Sequence, residues 1–169
     1  MALPVSFDQN EWFVLISFVI SFAFVFILPR RFSLSLIILM FLFAAVVARL
    51  CDHLLAGPNS NLYSLMDTGT YDLFDMLTYF LYMPFAYFFI YFYDKWKIRG
   101  YYILLYVVGS VFAGTIYEWI TTYFDVFNYH GWKVYYSFTV YLAVQPLTIL
   151  FYEYLRKTYT RIDCIPLKH

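Results

Sequence analysis

Charged residues are scarce in this sequence of 169 residues. They make up 13% of the chain, against about 25% in an average soluble domain. With so few polar side chains to cover an outer surface, the chain is not expected to be a soluble globular protein. Basic and acidic residues number 11 each, so the formal net charge is zero. Because there is no basic excess to neutralise a phosphate backbone, nucleic acid is not an expected partner.

Residues and motifs typical of catalytic, metal and cofactor sites are also few. The chain has only two cysteines, Cys51 and Cys164, and they do not have the spacing of a metal-thiolate site. It contains no P-loop, no GxGxxG, no HExxH and no GxSxG motif. We therefore expect no cofactor and no metal, and these absences weigh against an enzyme without excluding one.

Apolar and aromatic residues dominate what is present. They account for 63% and 25% of the chain, and the mean hydropathy is +0.67. Five apolar segments have about the length that a membrane-spanning helix needs. They are continuous and do not alternate as barrel strands do, which favours helices. The sequence predicts an all-α integral membrane protein, a single domain of five transmembrane helices near residues 12–28, 32–50, 72–93, 101–124 and 135–155.

The distribution of basic residues predicts an orientation. Short cytoplasmic loops of membrane proteins are enriched in Lys and Arg. The loops after the first and third segments, together with the tail 156–169, hold nine of the eleven basic residues. The first segment follows acidic residues, which is not typical of a cleaved signal peptide, so we expect it to be retained. The predicted N-terminus is outside the cell and the predicted C-terminal tail is cytoplasmic.

Ionisable residues near the outer ends of three segments form a candidate site. Arg49 and Glu118 each lie 17 residues after the start of their segments, about 26 Å along a helix. The candidates for binding a ligand or ion at this depth are Arg49, Asp52, His53, Asp72, Asp75 and Glu118. The cluster is interpreted as ion pairing, with Arg49 satisfying Asp75 or Glu118, or as a pocket for a cation, a proton or a polar head group. Catalysis is the weakest alternative.

Several tyrosines lie too deep in the predicted helices to belong to the interfacial aromatic belt. Their hydroxyl groups need hydrogen-bond partners, so we expect them to face other helices or the polar layer. They are Tyr79, Tyr82, Tyr87, Tyr106 and Tyr141. Two prolines, Pro84 and Pro146, also lie in the middle of predicted helices, where proline can kink a helix and open a cavity.

A set of short motifs distributed over most of the chain resembles a known family. The motifs are Leu28-Pro29-Arg30-Arg31, Tyr71-Asp72-Leu73-Phe74-Asp75, Phe92-Tyr93-Asp94-Lys95-Trp96 with Ile98-Arg99-Gly100, Glu118-Trp119, and Val126-Phe127-Asn128-Tyr129-His130-Gly131-Trp132 with Tyr136-Ser137. They resemble small uncharacterised multi-pass membrane proteins of spore-forming Gram-positive bacteria. The resemblance implies a bacterial plasma-membrane location and the topology above, and it supplies no activity and no catalytic residues.

These observations support three hypotheses of function. The first is a non-enzymatic envelope or sporulation component that binds a partner protein or a lipid. Its expected partners are the lipid bilayer and either another membrane protein or a second copy of itself. The second is a transporter or channel component for a small solute, a proton or a cation, using the polar cluster. The third is a lipid-modifying enzyme that uses Asp72, Asp75, His53 or Glu118.

Overall fold

The protein is described by a computed structural model over residues 7–56, 62–65 and 73–163, without the side chains of Asp75 and residues 160–163. These residues form five helices. They are α1 (Gln9–Ile27), α2 (Leu34–Leu55), α3 (Leu73–Lys95), α4 (Tyr102–Tyr123) and α5 (Val134–Asp163). All five are long and apolar enough to cross a membrane, which confirms the predicted number of spans. The structure is that of a multi-pass membrane protein.

The predicted helix ends lie within about three residues of the structure except at the end of α2, which continues from the predicted residue 50 to Leu55, and at the end of α5. That helix was expected to stop near Leu155, but it continues to Asp163. The polar residues after Leu155 end the apolar span without ending the helix, because neither glycine nor proline occurs before Pro166. An ion pair of 2.7 Å between Glu153 and Arg156 also supports the last turns of the helix.

Two short strands join connections that were expected to be loops. Strand β1 (Tyr63–Leu65) pairs antiparallel with β2 (Phe127–Tyr129), with Tyr63 opposite Tyr129. The backbone N–H groups of His130, Gly131 and Trp132 all donate to the carbonyl of Leu62, each at 3.0 Å, and hold the two segments together. Strands of three residues are too short to be recognised from alternating hydrophobicity, so the sequence did not predict them.

The helices pack in two groups. Helix α3 is central and contacts α1 and α2, whereas α4 packs along α5. Helix α5 also contacts α2 and α3 and joins the two groups. Large apolar side chains remain exposed on the outward faces, including Phe24, Val46, Ile116 and Leu150. A soluble monomer rarely exposes so much apolar surface, and in a bilayer these side chains contact lipid.

The two ends of the bundle differ in character. The end that carries β1 and β2, where α2 and α4 finish and α3 and α5 begin, is called the sheet end. The opposite end is called the basic end. There Arg31 forms a salt bridge of 2.8 Å with Asp94, and Arg156 lies 3.9 Å from the same carboxylate. Tyr152 donates a hydrogen bond of 3.0 Å to Asp94.

Candidate functional site

A cavity of about 470 Å³ lies between the two helix groups. Side chains from all five helices and both strands line it. Along α3 its wall runs from Thr78 to Phe92, which corresponds to about 21 Å at 1.5 Å per residue. Most of the wall is apolar or aromatic, and among the described residues its charged members are Asp52 and Glu118. Both lie toward the sheet end, so the cavity is elongated and polar at one end.

Glu118 on α4 is one of the two carboxylates in the cavity wall, and its side chain is held by three hydroxyl groups. The residue is only 6% exposed. Its Oε1 accepts hydrogen bonds from Tyr129 and Ser137, and its Oε2 accepts one from Tyr141, all at 2.5 Å. Among the residues that the structure describes, none forms a salt bridge with Glu118. A buried carboxylate inside a membrane span is costly, and here it is stabilised by neutral donors.

The direction of the hydrogen bonds around Glu118 follows from Trp132. The indole N–H of Trp132 can only donate, and it donates to the Ser137 hydroxyl at 2.8 Å. The Ser137 oxygen therefore accepts from Trp132, and its own proton is directed at Glu118. The indole, the serine hydroxyl and the carboxylate thus form one chain of hydrogen bonds that ends on Glu118.

Asp52 near the end of α2 has a related arrangement and is 7% exposed. Its Oδ1 accepts from the Tyr63 hydroxyl at 2.5 Å, and its Oδ2 accepts from the Tyr79 hydroxyl. The Tyr79 oxygen in turn accepts from the guanidinium of Arg49 at 3.1 Å. Arg49 is therefore connected to Asp52 by hydrogen bonds through the Tyr79 hydroxyl. The hydrogen bonds of Glu118 include no such connection to a basic residue.

The strand pair positions a tyrosine against each carboxylate. Tyr63 and Tyr129 are directly opposite in the ladder, and opposite residues point to the same face of a strand pair. Tyr63 donates to Asp52 and Tyr129 donates to Glu118. Burial, reinforced by these carboxylates, raises the pKa of Tyr63 and the pKa of Tyr129 above the usual value. Both phenols therefore remain protonated donors at neutral pH.

Other polar groups extend the site along the cavity. Tyr82 on α3 lines the cavity, and its phenol interacts electrostatically with both Asp52 and Glu118. The Tyr117 side chain is also in the wall, with its hydroxyl next to Ser17 of α1. Nearer the middle of the bundle, the Ser110 hydroxyl donates to Gln145 and links α4 to α5.

The structure brings together only part of the predicted cluster. Asp52 and Glu118 line the cavity, whereas Arg49 and His53 are exposed and do not line it. Of the two partners considered for Arg49, Asp75 or Glu118, the pairing with Glu118 is not formed, because tyrosine and serine hydroxyls hold that carboxylate.

Two further candidates cannot be placed in the cavity. Asp72 lies outside the described residues, and only the backbone of Asp75 is described, within α3. The expected pairing of Arg49 with Asp75 therefore stays a prediction. The expectation that deep tyrosines find partners is confirmed for three of them: Tyr79 on Asp52, Tyr141 on Glu118, and Tyr106 on the Phe89 carbonyl at 2.5 Å.

Sequence reasoning missed four side chains of the site. Tyr63 and Tyr129 lie in strands that were not predicted, and Ser137 is a lone serine in an apolar helix. Trp132 was not selected as a site residue from the sequence, but it lines the cavity and donates a hydrogen bond to Ser137. One signal for Tyr129 was available in the sequence. It follows Glu118 by only eleven residues, across a short turn, so its hydroxyl could be expected to reach that carboxylate.

Comparisons of the chain with protein-family models, curated proteins and solved structures find no match. The chemistry that the site can perform must therefore be inferred from its own residues.

Proposed function

We propose that this multi-pass membrane protein binds an elongated, lipid-like amphipathic molecule in the cavity between its two helix groups. The observation that carries the proposal is the polarity of the cavity. Both charged residues of its described wall, Asp52 and Glu118, lie toward one end, and apolar side chains form most of the rest. Its volume of about 470 Å³ falls within the range of roughly 300–1,000 Å³ typical of ligand pockets.

The cost of the arrangement also favours a binding role. Protein interiors contain few voids larger than a water molecule, and an empty apolar cavity lowers stability. A charged group within a membrane span adds a further cost of about 3 kcal/mol on insertion scales. A ligand that fills the apolar part and contacts the carboxylates would offset both costs. A helix bundle with a purely structural role would have neither the cavity nor the buried charges.

The test is to determine what the purified protein carries. After extraction in a mild non-ionic detergent, mass spectrometry of the bound small molecules should find about one equivalent of an amphipathic compound. Ala48 lines the cavity one helical turn before Asp52, so Ala48→Phe should fill part of the cavity and remove the compound. Val46 is 63% exposed on the same helix, so Val46→Phe is a matched control that should retain it.

Two results would contradict the proposal. One is equal occupancy in the two phenylalanine variants, which would place the compound on the outer surface. The other is a stoichiometric partner protein without any bound small molecule, which would favour the partner-binding hypothesis.

The charge distribution supports an orientation. The basic end carries Arg30, Arg31, Lys95, Lys97 and Arg99, and by the positive-inside rule it faces the cytoplasm. The N-terminus and the sheet end then face outward. The resemblance to membrane proteins of Gram-positive bacteria supports the plasma membrane as the location.

Cysteine labelling tests the orientation. In a chain without its two native cysteines, His130→Cys should react with an impermeant maleimide on intact cells. Lys97→Cys should react only after the cells are permeabilised. The reverse pattern would invert the proposed topology.

A second candidate function is transport of a small solute or cation through the same cavity. It is favoured by Pro84 and Pro146, which lie inside α3 and α5, because proline interrupts the helix hydrogen bonds and allows a membrane helix to bend. In proteoliposomes, flux should fall in Glu118→Gln. Flux that Glu118→Gln leaves unchanged would exclude transport through this site.

A further inference from the structure

We propose that the polar head of the ligand is a cation, an organic ammonium group carried on an apolar body. This inference rests on the proposed function and names the class of ligand. The charged residues of the described cavity wall are Asp52 and Glu118, and both are acidic. An anionic head group would be repelled by both carboxylates, whereas a cationic one complements them.

The hydroxyl groups of the site are already committed to these carboxylates. The Ser137 proton points to Glu118 because its oxygen accepts from Trp132, and the Tyr79 proton points to Asp52 because its oxygen accepts from Arg49. These groups therefore offer a ligand few free protons. What the site offers is acceptor capacity, since an ionised carboxylate has about four lone-pair positions and Glu118 uses three.

Glu118 is the stronger of the two anchors. Arg49 compensates the charge of Asp52 in part, through the hydroxyl of Tyr79. Among the described residues, no Lys, Arg or His nitrogen lies within salt-bridge distance of Glu118. The described part of the bundle therefore supplies no positive charge beside Glu118, and a cationic ligand would supply it.

Aromatic rings surround the same end of the cavity. Their faces attract cations, and quaternary ammonium groups are recognised in proteins by such rings. The aromatic residues of this part of the wall include Tyr63, Tyr82, Tyr117, Tyr129, Trp132 and Tyr141. The Tyr117 oxygen, which lies next to Ser17, can also accept a hydrogen bond from an ammonium N–H.

The surroundings suit an organic cation better than a metal ion. Within the described part of the chain, no group of three His, Cys, Asp or Glu side chains could hold a metal. Hard metal ions also require several oxygen ligands in a close shell, and a bare ion would leave the apolar length of the cavity unfilled. An ammonium group on an elongated apolar body fills both parts.

Two fluorescent probes that share one apolar rod and differ in a cationic head group test this inference. Diphenylhexatriene is a neutral, elongated apolar rod, and its trimethylammonium derivative adds a cationic head. The full chain in lipid nanodiscs is titrated with each, and the saturable part of the energy transfer from tryptophan to the probe reports binding at the site. Transfer that rises linearly reports probe dissolved in lipid, and Ala48→Phe measures that background.

Both probes should bind saturably, and the cationic one should bind about tenfold more tightly because of Glu118 and the aromatic rings. Glu118→Gln should remove this preference and leave the binding of the neutral probe unchanged. Ala48→Phe should weaken both probes, and Val46→Phe should weaken neither.

The possible failures are distinguishable. Equal affinity of the two probes in the wild-type chain, or a preference that survives Glu118→Gln, would overturn the cationic head group while the binding function stands. Saturable binding of neither probe would overturn the proposed function itself. If Glu118→Gln does not fold, the wild-type chain suffices, because tetraphenylphosphonium should displace the neutral probe at about tenfold lower concentration than uncharged triphenylphosphine oxide. Displacement by both compounds alike would overturn the inference.

Discussion

The two ends of the bundle treat their carboxylates in opposite ways. At the basic end, Asp94 and Glu153 are partly exposed and are paired with Arg31 and Arg156. At the sheet end, Asp52 and Glu118 are buried, and their hydrogen bonds come from hydroxyl groups. The carboxylates at the basic end are paired with arginines of the protein, while the acidic charge of the cavity is not fully balanced.

This difference separates structural charges from candidate functional ones. A surface ion pair contributes little to stability and tolerates change. A buried carboxylate without an adjacent cation costs free energy, so it is either held by a complete set of donors or used to bind something. The sheet end has the donors and, in addition, a cavity. We therefore assign ligand binding to the sheet end, and we assign to the ion pairs of the basic end the structural role of holding the helices together.

The largest expected effect comes from removing one glutamate at each end. Glu118→Leu leaves the hydroxyls of Tyr129, Ser137 and Tyr141 without their acceptor, and should lower the free energy of unfolding by about 3 kcal/mol. Glu153→Leu removes a partly exposed ion pair and should cost less than about 1 kcal/mol. Unfolding followed by circular dichroism in maltoside detergent measures both. Equal losses would abolish the distinction between the two ends.

Alkaline pH should weaken the sheet end next. The folded protein raises the pKa of Tyr63 and of Tyr129, so folding favours their protonated forms. Their contribution is complete below about pH 10, the pKa in the unfolded chain. It falls as the pH rises above that value, by about 1 kcal/mol per pH unit for each phenol.

A double variant isolates that effect. Tyr63→Phe with Tyr129→Phe should show a shallower loss of unfolding free energy between pH 10 and pH 11 than the wild-type chain, measured in the same detergent. If the two chains lose stability with the same slope, the alkaline transition arises elsewhere in the molecule.

Single tyrosine hydroxyls give a smaller and better matched comparison on one helix. Tyr141 and Tyr152 of α5 each donate to a carboxylate, Glu118 and Asp94 respectively. Tyr141→Phe should cost about 1–2 kcal/mol, as expected for a buried hydrogen bond to a charged group. Tyr152→Phe should cost less, because Asp94 keeps its arginines. A larger loss in Tyr152→Phe would reverse the assignment.

Salt dependence should produce the smallest effect and should appear only at the basic end. Arg31→Gln breaks the bond to Asp94, which lies near the surface. The melting temperature should fall slightly in dilute buffer, and the difference should shrink at 0.5 M NaCl because salt screens exposed charges. Salt should not change the deficit of Tyr141→Phe. A salt-sensitive deficit there would mean that the sheet end is open to solvent.

Much of the fold was predictable from the sequence, and about half of the candidate site was. The five spans follow from apolar length, and the structure confirms their number. Asp52 and Glu118 could be selected because ionisable residues are rare in such spans. Of the two partners considered for Arg49, Asp75 or Glu118, the second pairing is not formed, since similar depth along two helices does not determine which side chains meet. The strands that deliver Tyr63 and Tyr129 are too short to carry a periodic signal.

The sequence by itself determined that the chain has five segments long and apolar enough to cross a membrane, and which ends of the helices are basic. These properties depend on the hydropathy and charge of neighbouring residues, so they can be read locally. Only the tertiary structure decided that a cavity lies between α3 and α4, and that hydroxyl groups rather than arginines hold Glu118. Those features depend on contacts between residues far apart in the chain, such as Glu118 with Tyr141 and Asp52 with Tyr79. Such contacts are set by how the helices pack, which no local pattern specifies.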